Sequence, residues 1–494
     1  MTDLGRLAGA VLQPGFTGST PPDWVRRWLG EGLGGVALFA RNIVGLEQVA
    51  ALTAALRAER PDVLVAIDEE AGDVTRLHAR TGSPRPGNAA LGAVDDPALT
   101  AQVAADLGRE LAAAGVTLNY APVADVNVDP ANPVIGVRSF GASPELVARH
   151  TAAWVRGLQS AGVAACAKHF PGHGNTSVDS HLDVPRIGGT AADLAAVELP
   201  PFRAAVAAGA QALMTGHLLV PAVDPDRPAT LSRPVLTELI RDQLGFSGVV
   251  ITDAIEMRAV SERYGIAGAA VLALAAGADA ICVGGEHADE HTAGELREAI
   301  VAAVRSGTLP EERLVEAAKR VGQLAEWAVQ ARPAPVPPLK VPAGLQAARR
   351  AVRVTRGRGA PALPLRRPPH VVELASPANI AVGPDTPWGL AQPLAERIKG
   401  ITWVRHAAAD LADPARRCAD AVAAASGRPL VAVVRDAHRH AWMADLVRRL
   451  AAARTDLVVV ETGLPELILG ALHVATYGAT TVSARAAAEV LLGH

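Results

Sequence analysis

Over residues 1–330 the chain repeats one pattern: a short apolar run rich in β-branched residues, a polar residue at its end, then an alanine- and leucine-rich stretch with helical spacing. The apolar runs are Val11–Phe16, Gly35–Ala40, Val63–Asp68, Thr117–Asp125, Ala164–His169, Ala212–His217, Val249–Asp253 and Ala280–Gly284. Eight strands, each followed by a helix, predict a (β/α)8 TIM-like barrel. An open doubly wound sheet would share the alternation, but the polar endings favour the barrel. Arg41, Asp68, Asp125, Lys168 with His169, His217 and Asp253 all fall at or just past a strand's C-terminal end. That is the face on which barrels place their chemistry.

The pattern stops near residue 330. Residues 331–369 read as a proline-rich linker: Ala331–Pro342 carries five prolines, and Arg356–Pro369 is basic with several more. Strand-like runs then recur at Val371–Ala375, Val431–Arg435 and Leu457–Glu461, with helical stretches at Trp442–Ala453 and Ala484–Leu492. The expected layout is therefore a catalytic barrel over 1–330, a linker over 331–369, and a smaller α/β sandwich domain over 370–494. No Gly-rich phosphate loop accompanies these strands, so no cofactor is expected.

Composition narrows the field. Half of the residues are hydrophobic and 20% are charged, which is globular rather than disordered. A net charge of −3 offers no case for nucleic acid or an anionic membrane surface as a partner. No stretch approaches the roughly 18 uninterrupted apolar residues of a membrane span. The three cysteines, Cys166, Cys282 and Cys418, are odd in number and far apart. They suggest no disulfide framework, and with an N-terminus that makes a poor signal peptide the expected location is cytoplasmic. Oligomeric state is not legible.

The densest chemistry lies in Lys168-His169-Phe170-Pro171-Gly172-His173-Gly174-Asn175-Thr176-Ser177-Val178-Asp179-Ser180-His181. It opens at the end of the fifth strand and runs into a loop punctuated by Gly and Pro. Asp179 and His181 are two apart, so in extended backbone both side chains emerge on one side. The carboxylate can then fix the imidazole tautomer and raise its basicity, leaving the second nitrogen to exchange protons with a substrate. A structural loop stapled by polar groups is the plainer alternative. Asp253, at the tip of Val249-Val250-Ile251-Thr252, would point into a barrel's mouth, where a nucleophile belongs. It could instead cap a following helix, with Glu256 completing a capping box. Asp68, Arg138, Lys168 and His169 are of the kinds that hold sugar hydroxyls.

Together these residues resemble glycoside hydrolase family 3, and within it the cytosolic bacterial β-N-acetylglucosaminidase branch. The likeness covers about residues 1–330, and more loosely the rest. The resemblance implies Asp253 as nucleophile, and Asp179 with His181 in place of the family's usual carboxylate acid/base. It also implies that Asp68, Arg138, Lys168 and His169 hold the non-reducing N-acetylglucosamine, with His217 and Met257 lining the pocket. No metal or organic cofactor is implied, and the partner is a small glycoside with a terminal N-acetylglucosamine, in the setting of peptidoglycan recycling. One segment departs from the branch: Asp68-Glu69-Glu70-Ala71-Gly72-Asp73-Val74 stands where Asp-Gln-Glu-Gly-Gly-Arg-Val is usual.

The mechanism that follows is double displacement with retention. A phosphorylase could use the same residues, phosphate replacing water in the second step. A metal-dependent hydrolase built on His169, His173, Asp179 and His181 is disfavoured, because Pro171, Gly172 and Gly174 forbid the helix that an i, i+4 His pair needs. A non-catalytic sugar-binding protein is the remaining reading.

Overall fold

The computed structural model describes residues 3–176, 184–331, 341–376, 381–383 and 386–493. The chain packs as two units: Met1–Glu70, Pro97–Ile135 and Ala142–Pro337 form the first, and Ala71–Asp96, Gly136–Gly141 and Pro338–His494 the second. No single described helix is long and apolar enough to cross a membrane.

The first unit is a TIM-like barrel of eight parallel strands: β1 (Leu12–Pro14), β2 (Gly35–Leu38), β3 (Leu64–Ile67), β4 (Leu118–Asn119), β5 (Ala164–Phe170), β6 (Ala212–Thr215), β7 (Val249–Thr252) and β8 (Ile281–Val283). Seven lie inside the runs read from the sequence, and β5 extends one residue beyond its run. Strands β2 to β7 form a continuous parallel ladder. The bridge Ile251↔Ala280 continues it towards β8, and β8 pairs with β1 through Leu12↔Ile281. No ladder joins β1 to β2, and other contacts close that seam. Gly34 N–H donates to Gly9 O at 3.1 Å. A Cβ on Gly34 would fall 1.9 Å from the Ala10 carbonyl, so only glycine permits the approach. At the other end, Arg41 donates to the carbonyls of Phe16 (3.1 Å), Gly285 (2.7 Å) and Gly284, tying β1, β2 and β8 together.

The barrel interior follows the period-two rule of strands. Leu64 and Ala66, Ala164 and Cys166, Ala212 and Met214, Val249 and Ile251 all belong to one buried cluster. Many of these side chains are small, and Tyr120, just past β4, donates to Gln13 Oε1 from β1 at 2.5 Å. Opposite the mouth, Asp279 just before β8 is ringed by Arg241, Arg313 and Arg320, and accepts from Val250 N–H at 2.9 Å. Charge pairs at that face secure the fold rather than the chemistry.

The second unit is a six-stranded sheet with helices on both faces. Its strands are β9 (Arg353–Arg356), β10 (His370–Ala375), β11 (Thr402–Ala407), β12 (Leu430–Val434), β13 (Val458–Glu461) and β14 (Leu472–Ala475), in the order β9-β14-β13-β12-β10-β11. Only β9 is antiparallel to its neighbour. Alternation again assigns the faces. Leu430, Ala432 and Val434 pack with Met443, Leu446 and Leu450 of the helix Ala441–Ala453, while Val431 and Val433 pack with Ala487, Ala488 and Leu491 of the helix Thr481–Leu492.

Three features of this unit correct the sequence reading. The span 331–369 is not linker throughout: helix Ala343–Ala351 and strand β9 lie within it, and the helix buries Ala343, Leu345, Ala347, Ala348 and Ala351. The prolines flank these elements rather than prevent them. Strands β11 and β14 also escaped the reading. β11 is an exposed edge strand, Thr-Trp-Val-Arg-His-Ala, too polar to stand out, and β14 is only four residues long. Finally, Ala71–Asp96 and Gly136–Gly141 pack with the second unit although they fall inside residues 1–330.

Candidate active site

The barrel's interior columns predict what stands at its mouth. One step beyond Leu64 and Ala66 is Asp68; one step beyond Ala164 and Cys166 is Lys168; one step beyond Val249 and Ile251 is Asp253. Ladder contacts reach the strand ends, since Lys168 N–H donates to Pro122 O at 3.0 Å and Asp253 N–H to Thr215 O at 3.1 Å, although β5 shifts register against β6 between Ala167 and Phe170. The three side chains are close enough that their charges all bear on the buried thiol of Cys166. Burial pushes that thiol well above its ordinary value, Lys168 opposes the shift, and Asp68 and Asp253 add to it.

Lys168 is buried, with its ammonium between two carboxylates: 2.5 Å from Asp68 Oδ1 and 2.8 Å from Glu70 Oε1. The pair around it is set by β4, where Asn119 accepts from Glu69 N–H (3.0 Å) and donates to Glu69 O (2.8 Å), clamping the backbone between Asp68 and Glu70. Glu70 is 4% exposed at its side chain whereas Asp68 is 25% exposed, so Asp68 is the one that can reach a ligand. A buried ammonium needs such compensation, and the two carboxylates need it in return. Glu70 was not singled out from sequence. Its signal is the two-residue spacing from Asp68.

His169 is oriented by a second carboxylate. Its Nδ1 lies 2.8 Å from Asp125 Oδ2, and Asp125 Oδ1 accepts from the amides of His169 (3.1 Å) and His173 (2.7 Å). Asp125 is fully buried. It thus holds the proton of His169 on Nδ1 and fixes the course of the loop after β5. His173 turns inward, with Nδ1 2.8 Å from Thr176 Oγ1 and its carbonyl accepting from Asn132 Nδ2 at 2.9 Å. The two glycines beside it are explained by close approach: a Cβ on Gly174 would lie 1.9 Å from Val126 O. Asp179 and His181 lie outside the described residues.

Asp253 does not cap a helix. Its Oδ1 accepts from Ala254 N–H at 2.8 Å, and the next helix, Arg258–Tyr264, begins after Met257. Glu256 makes no capping box either, because its Oε1 accepts from Gly284 N–H (2.9 Å) and from Gly285 N–H. His217 is buried, with Nδ1 2.9 Å from Thr230 Oγ1 and Nε2 3.0 Å from the Ala254 carbonyl. A carbonyl only accepts, so Nε2 carries a proton, and the ring holds the peptide that follows Asp253. Met257 is buried, its N–H donating to Ala254 O at 3.0 Å. Arg138 belongs to the second unit, where it is buried and its carbonyl accepts from Asn88 Nδ2 at 2.8 Å.

The departure at residues 71–73 also falls in the second unit. Ala71 adopts φ +60°, the left-handed region that glycine occupies at less cost. Asp73 accepts from Ala479 N–H at 2.8 Å and lies 2.8 Å from Arg435 Nη2. An acidic residue here is answered by an arginine on the strand end of β12.

Among the described residues no cluster of His, Cys, Asp and Glu could hold a metal ion. What the mouth offers is a half-exposed carboxylate at Asp253, a carboxylate–lysine pair and a tautomer-fixed histidine, which together suit polyhydroxylated ligands and nucleophilic displacement. The model of the glycosyl hydrolase family 3 N-terminal domain matches residues 21–324. The chain belongs to glycosyl hydrolase family 3. It is a glycoside hydrolase. A β-hexosaminidase of Alkalilimnicola ehrlichii is 39% identical over 255 residues, 50% of this chain and 73% of that protein. β-Hexosaminidase A of Pseudoalteromonas piscicida is 35% identical over 268 residues, again 50% of this chain, which spans only 45% of that longer relative. Among solved structures, a family 3 β-N-acetylglucosaminidase from Paenibacillus sp. str. FPU-7 superposes with a TM-score of 0.89 at 34% identity, covering 100% of this chain and 97% of that one. Both units of the fold are thus shared with it.

Proposed function

We propose that the chain removes terminal, non-reducing β-linked N-acetylglucosamine with retention of configuration. The observation that carries this reading is the Lys168–Asp68 pair, 2.5 Å apart, whose charges act with that of Asp253 on the one buried thiol of Cys166. Asp253 attacks the anomeric carbon; the bond to the leaving oxygen breaks as that oxygen takes a proton from His181, oriented by Asp179. His181 then takes a proton from water, the water oxygen attacks the same carbon, and the Asp253 carboxylate departs. Asp68, Lys168 and His169 hold the hydroxyls of the sugar. The hexosaminidases it resembles support the 2-acetamido preference. The three unpaired thiols, two of them buried, support action in the cytoplasm, with cell-wall muropeptides the first natural aglycones to try.

Aryl 2-acetamido and plain β-glucosides test the reading directly. The 2-acetamido substrate should win by orders of magnitude in kcat/KM, and phosphate should yield no sugar 1-phosphate. Comparable rates on both would move the chain to the glucosidase side of the family. For the acid/base pair the leaving group is diagnostic: His181→Ala should spare glycosylation by activated aryl substrates, abolish it for sugar leaving groups, and respond to azide. Equal losses without rescue would remove His181 from the mechanism.

A further inference from the structure

The stretch Leu194-Ala195-Ala196-Val197-Glu198-Leu199-Pro200-Pro201-Phe202 sets two prolines inside a helical segment. Neither supplies an N–H, and the turn before them widens, with Leu199 N–H reaching back five residues to Leu194 O. Glu198 rides on that wide turn. It is 2% exposed, and neither carboxyl oxygen has a hydrogen-bond partner among the described residues. An ionised carboxylate so placed would lose its hydration with nothing in exchange.

What the carboxyl packs against is the loop after β5. Gly172 has φ +136°, and a Cβ there would fall 2.3 Å from Glu198 Oε2. The charge that acts on Glu198 is that of Asp125, the residue that holds the amides of His169 and His173. Of the helices beside it, Pro144–Gln159 contributes one buried titratable group, His150, whose Nδ1 lies 2.8 Å from Thr100 Oγ1. Arg149, Arg156, Asp193 and Arg203 are exposed.

We propose that Glu198 is a positioning residue for the hydrolysis put forward above: as a neutral carboxylic acid it braces the Pro171–Gly174 turn, and its ionisation disrupts the turn by setting a second buried negative charge against Asp125. Burial, then Asp125, push its pKa up to about 8, so the brace is intact at neutral pH and lost as pH rises through that value. The proposal adds a control on His169 that lies outside the reacting groups.

The test is kcat/KM between pH 5.5 and 10 for an activated aryl β-N-acetylglucosaminide, whose departure needs no proton from His181 and whose profile therefore reports the free enzyme's positioning groups. Wild-type kcat/KM should fall about tenfold per pH unit above its break, as one essential proton is lost. Glu198→Gln, neutral at every pH, should lack that limb, so that the variant-to-wild-type ratio rises at least about tenfold between pH 7 and 9.5. Glu198→Leu serves as a second uncharged variant. A limb unchanged in a folded, active variant overturns the proposal alone; a wild type that cleaves neither 2-acetamido nor plain glucosides overturns it together with the hydrolytic reading. Thermal unfolding supplies an independent arm. Unfolded chains release this proton near the ordinary carboxylate value, about 4.3, whereas the folded protein keeps it. The Tm advantage of Glu198→Gln should therefore grow from pH 5 to 8 and then level. A difference that does not change with pH overturns the protonated brace.

Discussion

At the mouth of the barrel, Asp68 and Glu70 meet the ammonium of Lys168; at the same ends of the strands in the second unit, Glu461 meets backbone amides, and Glu373 is shared between two amides and Arg405. Glu461 Oε1 and Oε2 accept from the amides of Asp436 (2.8 Å), Ala437 (3.2 Å) and Gly463 (2.7 Å). Glu373 accepts from Leu390 (2.7 Å) and Ala391 (3.0 Å), and its other oxygen is held by Arg405. Both sheets put acids at their carboxyl ends, where α/β folds collect ligands. The difference is in who answers them. A carboxylate consumed by amides fixes loops and is spent on the fold, whereas one answered by a side chain and left partly exposed can exchange that partner for a substrate. Residue type at a strand tip is thus a poor guide to chemistry, and the partner decides.

The sharpest break of this comparison is a matched pair of substitutions. Asp253→Asn should cost about three orders of magnitude or more in kcat, because an amide forms no glycosyl ester. Glu461→Gln should leave kcat within a few-fold. Loss of turnover in a folded Glu461→Gln protein would end the distinction between the two sheets.

Next in size is Lys168→Met, which leaves Asp68 and Glu70 opposed without a cation. A fall of about two orders of magnitude in kcat/KM is expected, with a visible loss of stability. Lys168→Arg should rescue little, since a planar guanidinium does not fit between two acids spaced for an ammonium. Full activity in the arginine variant would show that charge alone matters there.

In the second unit the readout shifts to stability. Glu461→Ala strands three amides and should destabilise by about 2–4 kcal/mol in urea melts at unchanged kcat. The acid's pH signature has the opposite sign to that of Glu489. Burial, then Asp436, raise Glu461 to about 7. The unfolded chain gives up this proton earlier, so stability falls as pH rises from about 4.3 towards 7 and levels above it. Glu489 lies at about 2, held chiefly by Arg349, so its contribution is present above about 4.3 and disappears as pH falls towards 2. Glu461→Gln and Glu489→Gln should each flatten one side of the stability curve, and exchange of the two effects would refute the assignment.

The smallest effect is at Ala71. Glycine there relieves the left-handed backbone but loosens the unfolded chain, for a net gain of about 0.5 kcal/mol. Destabilisation would mean that the alanine methyl, which is buried, contributes more packing than strain.

Much of the barrel was legible because its inner columns alternate without interruption and end in charge. The same alternation that named Asp68, Lys168 and Asp253 also contained Glu70, two residues past Asp68, and Asp125 closed its own apolar run. Reading them needed knowledge of what each side chain would meet, which a strand's own sequence does not hold. Glu198 was hidden for a different reason: an acid among alanines in a helix reads as a solvent face until the widened turn shows which way it points. Arg138 looked like part of the barrel because it precedes β5 in the chain, whereas packing groups it with residues more than two hundred positions later. The edge strand β11 lacked an apolar face to announce it.

Cys166 lies directly under Lys168 in its column and Cys282 under Gly284, both buried with thiols raised well above their ordinary value by desolvation. Thiols that do not ionise do not alkylate. Burial raises the Cys418 thiol too, against the opposing charge of Arg449, but this cysteine is only half-buried, so iodoacetamide and maleimides should label the native enzyme once, there, without touching turnover. The floor of the mouth is in this sense chemically silent, and a probe attached at position 418 would observe the working protein without a single cysteine having to be removed.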